Sequence, residues 1–286
     1  DNDIYSNSWL YQNILFKGQI DSAVKKNKVL IVITTCRRLN KFLRTANALI
    51  KSLKNQNVFN RKYIENIVVI DDQSSEYDRN KMRSVYPDFK FIYKDNNLKG
   101  HAASLNMILY NASVVPSHIN YVLYFEDDWV VKSNDENNRW FLNALELLQS
   151  NTLHQGRIGQ VLLDVRHGGW PFGHINENKK QLQYRYHEFG YFELTTSGMP
   201  MVVNGKYLAW PGFSNQPSFW NLNRIRNKKL YFNVDDALFE QVFSLQYYQR
   251  GLRVACLEHE TTFHIGDDVS AYKLNNEDSR YWDATD

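Results

Sequence analysis

Cysteine is nearly absent from this chain. Cys36 and Cys256 are the whole supply in 286 residues, which excludes a disulfide-stapled scaffold. No apolar run approaches the roughly 20 residues needed to span a bilayer, so no transmembrane helix is expected. Charge of one sign is also scarce. Lys and Arg total 34 against 31 Asp and Glu, a formal net charge of +3 with no long basic stripe, which argues against nucleic acid as a partner held by charge. There is no internal repeat and no low-complexity linker, and residues 1–27 lack the charged, then apolar, then small pattern of a signal peptide. Two cysteines and no signal favour a reducing, cytoplasmic compartment, while a first residue other than Met leaves a longer parent with an upstream anchor open. A Gly-x-Ser-x-Gly elbow is missing, as are a P-loop and a Gly-x-Gly-x-x-Gly turn after a strand, so nucleophilic hydrolase readings fare badly.

What is present is an apolar and aromatic chain. Hydrophobic residues make up 43%, enough for a sizeable core, and Tyr, Phe and Trp alone reach 14%. The first two-thirds alternates between two periodicities. Residues 29–34 form a continuous apolar run, followed by Leu39, Phe42, Leu43, Ala46, Leu49, Ile50 and Leu53 at helical spacing. Residues 67–70, 89–93 and 119–125 repeat the strand pattern, and 77–86 and 100–111 the helical one. Short apolar strands separated by such helices predict βαβ units and a largely parallel α/β sheet. Later, 157–163 and 253–257 read as strands and 236–250 as a helix ended by Gly251. The expected organisation is one continuous domain over 1–286. Residues 29–130 form its nucleotide-type half and 131–274 an elaborated second half, with 1–27 and 275–286 peripheral.

Polar clusters fall where three of these strands end. Thr34-Thr35-Cys36-Arg37-Arg38 closes the first, Asp71-Asp72-Gln73-Ser74-Ser75 the second and Glu126-Asp127-Asp128 the fourth. Ligands of open α/β sheets bind beyond these carboxyl ends. Three adjacent carboxylates repel and raise one another's pKa, an arrangement that a divalent cation relieves. Carboxylate oxygens suit hard ions such as Mg²⁺ or Mn²⁺, which also bind substrate phosphates.

In their order and spacing these clusters resemble the GT-A-fold glycosyltransferases. The Glu126-Asp127-Asp128 triplet is similar to the form that the DXD metal motif takes in the N-acetylglucosaminyltransferase I type. The likeness covers 29 to about 130 well and 230–266 more loosely. It implies a Rossmann-like, mostly parallel sheet flanked by helices, with an acceptor-binding C-terminal half. Thr34, Thr35 and Arg37 would meet the nucleobase and ribose of a nucleotide-sugar, and Asp72 the uracil edge. Lys99 and Gly100 open a helix whose N–H groups and positive dipole end favour the diphosphate. Asp128 would be the direct metal ligand, Asp127 would hold metal-bound water or ribose hydroxyls, and Glu126 would orient the pair.

The resemblance also implies an acceptor base at the start of a downstream helix. Asn233-Val234-Asp235-Asp236 matches that place, with Asp236 as base and Asp235 as cap or acceptor ligand, the reverse assignment staying open. His264 resembles a late histidine that completes the metal shell and favours Mn²⁺ over Mg²⁺. Trp170, Trp210 and Trp220, among loops that also carry Phe172, Phe213 and Phe219, are the candidate walls for acceptor and sugar. The expected activity is inverting, metal-dependent transfer of a hexosyl or N-acetylhexosaminyl group from a UDP-sugar to a glycan or glycoprotein acceptor. Two alternatives share the architecture. A sugar-nucleotide nucleotidyltransferase usually carries a Gly-rich basic loop after the first strand, and residues 34–38 contain no glycine. A non-catalytic glycan-binding module has no reason to keep metal ligands and base together.

Overall fold

The computed structural model describes residues 28–98, 100–132, 139–149, 156–163, 180–184, 187–194, 202–203, 206–207, 213–257 and 261–266. The strands are β1 (Val29–Thr35), β2 (Ile64–Asp71), β3 (Lys90–Tyr93), β4 (Tyr121–Glu126), β5 (Trp129–Val131), β6 (Ile158–Leu162), β7 (Lys180–Tyr184), β8 (His187–Leu194), β9 (Val202–Val203), β10 (Lys206–Tyr207), β11 (Ser218–Asn221), β12 (Arg253–Leu257) and β13 (Thr262–His264). The helices are α1 (Leu39–Asn55), α2 (Glu76–Val85), α3 (His101–Tyr110), α4 (Trp140–Gln149), α5 (Leu222–Arg226) and α6 (Phe239–Gln249).

Nine strands make one sheet among the described residues, in the order β3-β2-β1-β4-β11-β6-β12-β8-β7. The pairs β3/β2, β2/β1, β1/β4 and β6/β12 are parallel. β11 runs antiparallel between β4 and β6, and β8 runs antiparallel to β12 and β7. The chain travels outward from β1 to β3 and then returns to β4 on the other side of β1. That reversal opens a crevice at the carboxyl ends of β1 and β4, the usual ligand position in such sheets. The result is the expected Rossmann-like, GT-A-type α/β architecture.

β1 explains why the sheet is covered on both faces. All seven of its residues are buried. Val29, Ile31 and Ile33 point into one core and Leu30 and Val32 into the other, the period-two alternation of a strand without a wet side. α1 covers the first face with Phe42, Ala46, Leu49 and Leu53, joined by Trp140 and Phe141 of α4. α3 and α6 cover the second with Leu105, Ile108, Phe239, Phe243 and Tyr247. No helix among the described residues is long and apolar enough to cross a membrane.

Two expectations from the sequence change here. Phe213, Phe219 and Trp220 do not form sugar walls. Phe213 packs against Trp220, Phe243 and Tyr247, while Phe219 lies edge-on to Phe141, and these three members of the expected wall, Phe213, Phe219 and Trp220, are fully buried. Burial of a large apolar side chain stabilises the fold by about 1.5–3 kcal/mol. Trp220 therefore offers no face to an acceptor, and Trp170 and Trp210 lie outside the described residues. The downstream helix also begins later than expected, at Phe239 instead of residue 236.

Candidate active site

The triplet at the end of β4 is clamped through its backbone. Thr45 of α1 donates its hydroxyl to the Asp127 carbonyl at 2.8 Å, and the Ile265 N–H donates to the Asp128 carbonyl at 2.7 Å. The antiparallel ribbon of β5 and β13 pairs His264 with Trp129, which carries the late histidine back to the triplet. His264 Nε2 lies 3.4 Å from Asp128 Oδ2. A Cβ at Gly266 would stand 2.3 Å from that imidazole, so glycine allows the close approach.

Arg38 sits across the two aspartates. Its Nη1 donates to Asp128 Oδ2 at 2.6 Å and its Nε to Asp127 Oδ2 at 3.3 Å, while Nη2 pairs with Asp127 Oδ1. Asp127 is fully buried and also accepts from the Thr35 hydroxyl (2.7 Å) and the Cys36 N–H (3.3 Å). Burial lifts its pKa to about 6 in spite of Arg38. Burial also pushes Asp128 upward, but His264 and Arg38 together hold it below the usual carboxylate range. Glu126 is raised well above its ordinary value by burial, then by Asp128 and Glu240.

Beneath the triplet, Tyr124 bonds Thr34 Oγ1 (3.0 Å) and His101 Nε2 (2.6 Å). Burial pushes His101 down to about 4, so its ring is neutral. Thr34 and Thr35 thus turn inward and brace the site from below. Cys36 is equally inert, its thiol pushed up to about 11 by burial and by Asp72 and Asp127.

The neighbouring cleft, of about 350 Å³, is lined by Arg37, Gln73, Ser74, Arg79, Lys94 and Asp95. Its rim is zipped between the first two strand ends. Arg37 donates its N–H to Ser74 Oγ at 3.0 Å and its Nε to the Gln73 carbonyl at 3.1 Å. Arg37 and Gln73 both hold a left-handed backbone, φ 54° and 65°. Such conformations cost of order 1–3 kcal/mol in non-glycine residues and gather at functional sites. Inside, Asp71 accepts from Arg79 at 2.7 Å. Asp72 Oδ2 accepts from buried Lys94 (3.0 Å) and from the Gly100 N–H (2.8 Å), while Asp72 Oδ1 is buried without a hydrogen-bond partner. The Gly100 N–H is therefore committed to Asp72 and not open to a phosphate. Lys99 lies outside the described residues.

Glu240 was not singled out by sequence reasoning. It stands in the first turn of α6, and its Oε1 accepts from the Asn215 N–H (2.7 Å) and the Ser214 hydroxyl (3.3 Å). Buried Gln160 of β6 pins that loop, accepting the Ser214 N–H at 3.1 Å. Burial raises Glu240 to about 7 against those two hydrogen bonds, and its charge reaches Glu126 and Tyr124. Asp236 lies before the helix, where its Oδ1 accepts the Leu238 N–H at 2.8 Å. Asp235 is exposed, and its own N–H is bound to Asn233. The missed signal was the spacing of Phe239, Phe243 and Tyr247, a buried i, i+4 stripe that starts the helix one residue before Glu240.

Comparison with known proteins places this geometry. Residues 30–137 match the model of glycosyl transferase family 2. That segment builds β1 to β5, both Asp-rich turns and the rim of the cleft. No curated protein matches the chain in sequence. Among solved structures, S. aureus TarS 1–349 is similar at 15% identity and a TM-score of 0.53, the match covering 82% of this chain and 59% of that one. The same TarS fragment in complex with UDP gives 12% identity and a TM-score of 0.50, with the same coverage. A mycobacterial protein gives 12% identity and a TM-score of 0.53, covering 88% of this chain and 72% of that one. The chain thus spans about three-fifths of the length of TarS 1–349. These likenesses show the shared fold.

Proposed function

We propose that this chain transfers a sugar from a UDP-sugar to a hydroxyl of a glycan or glycoprotein acceptor, with inversion and with help from a divalent cation. One observation carries the reading: a polar cleft and a buried acidic pair gripped by Arg38 lie at the carboxyl ends of the neighbouring strands β1, β2 and β4. The family 2 match over the same strands and the UDP-bound TarS neighbour support it.

Nucleotide recognition falls to the cleft. Arg37, Gln73 and Ser74 line it, and the adjacent Asp72 keeps one oxygen, Oδ1, without a hydrogen-bond partner. Asp128 and His264 suit a divalent cation. Asp128 Oδ1 is buried with no hydrogen-bond partner, and His264 faces the other oxygen. Among the described residues no third histidine, cysteine or carboxylate completes a cage. Two protein ligands match a cation that is otherwise held by substrate phosphates and water. Bound there, Mn²⁺ or Mg²⁺ would stabilise charge on the leaving diphosphate.

The acceptor hydroxyl must lose its proton as it attacks, and a base works best with a pKa near the operating pH. Glu240 meets that condition, so it takes the base role that sequence reading gave to Asp236. Its hydrogen bonds from Ser214 and Asn215 fix one oxygen and leave the other for the acceptor.

Equilibrium UDP binding tests the reading. The wild-type chain should bind UDP more tightly with Mn²⁺ than without, and Asp128→Ala should erase the difference. UDP binding that ignores Mn²⁺, or no UDP binding at all, overturns it.

A further inference from the structure

Arg38 is a poor neighbour for a metal ligand, and that conflict is informative. The oxygen of Asp128 that faces His264, Oδ2, is the one already held by Arg38 Nη1 at 2.6 Å. Arg38 is itself largely enclosed, with 12% of its side chain exposed. A divalent ion taking Oδ2 would sit beside a guanidinium in a low-dielectric pocket, where like charges repel strongly. A divalent ion held by Asp128 and His264 and the guanidinium on Asp128 Oδ2 therefore disfavour one another. Guanidinium also fits phosphate oxygens well, with two parallel donors.

We infer that Arg38 is a resident counter-cation that competes with the divalent metal for Asp128 and releases it when an anionic nucleotide diphosphate arrives. The inference rests on the function proposed above and extends it to an order of binding. Arg38 neutralises the aspartates. The diphosphate draws the guanidinium, Asp128 Oδ2 is freed, and metal and nucleotide then bind with mutual gain. That gain is reciprocal, since each ligand must help the other by the same factor. The metal affinity of the nucleotide-free protein is lowered by the fraction of molecules in which Arg38 holds the oxygen.

Mn²⁺ titration followed by electron paramagnetic resonance of the free ion tests this directly. Without nucleotide, Arg38→Met should bind Mn²⁺ about tenfold more tightly than wild type, and Arg38→Lys should fall between. UDP should tighten Mn²⁺ binding strongly in the wild type and much less in Arg38→Met. Because Arg38→Met strands the Asp127 charge, a double variant with Asp127→Asn is titrated beside it, with circular dichroism to confirm folding. Mn²⁺ binding equal to or weaker than wild type in the folded variants overturns the inference. Should UDP bind neither wild type nor variant, the proposed function fails, while the competition is still read from Mn²⁺ alone.

Discussion

Asp71, Asp72, Asp127 and Asp128, from the β1–β4 side of the crevice, each face a cation: Arg79, Lys94 and, for the last two, Arg38. Glu240 of α6 accepts hydrogen bonds from a hydroxyl and a backbone amide among the described residues. Burial acts on both sides, yet Asp128 is held below the ordinary range while Glu240 rises to about 7. A carboxylate beside a fixed cation is favoured in its ionised form, although burial still lifts Asp127 to about 6. One with neutral donors can exchange a proton near neutral pH. On the function proposed above, the two sides of the crevice divide binding from proton transfer.

The sharpest way to break this contrast is at Glu240. Glu240→Gln should lower sugar transfer about a thousandfold, some 4 kcal/mol of barrier, with UDP affinity unchanged. Asp236→Asn should retain most of the activity, and the opposite ranking in steady-state assays would return the base to the turn before α6. Next in size is the charge pairing. Arg38→Met should cost about 3 kcal/mol in urea unfolding, because it leaves Asp127 buried without its cation. Adding Asp127→Asn should recover part of that loss.

The pH profile sharpens the same comparison. The base must be ionised to act, so kcat/KM should rise with pH through about 7, where Glu240 deprotonates, and fall about tenfold per pH unit below it. A profile flat across that range would remove Glu240 from the role. The smallest effect concerns α2, which carries Arg79 to Asp71. Ser75 caps this helix by accepting the Asp78 N–H at 3.1 Å, so Ser75→Ala should cost about 1 kcal/mol of thermal stability with activity kept.

Much of the nucleotide half was legible before any coordinates. Apolar runs marked β1, β2 and β4 because strands buried on both faces cannot alternate. The 3.6-residue stripe marked α1 to within two residues of its end. The far half was harder to read. β11 has four residues, all buried, and resembles a loop in sequence because its neighbours β4 and β6 are distant along the chain. Asp235 and Asp236 carried a convincing helix-start signal, but the chain makes one more turn before α6 begins, which puts Glu240 in the helix's first turn instead.

The sequence by itself determined the alternation of strands and helices and the collection of acids at strand ends, since both depend on local periodicity and on where apolar runs stop. Tertiary structure alone decided which acids have cations and which aromatics are core. Arg38 reaches Asp127 and Asp128 about 90 residues away, and Ser214 reaches Glu240 across 26. Charge pairing and burial are properties of neighbours in space, and the sheet order that brings these neighbours together is not written in any one segment.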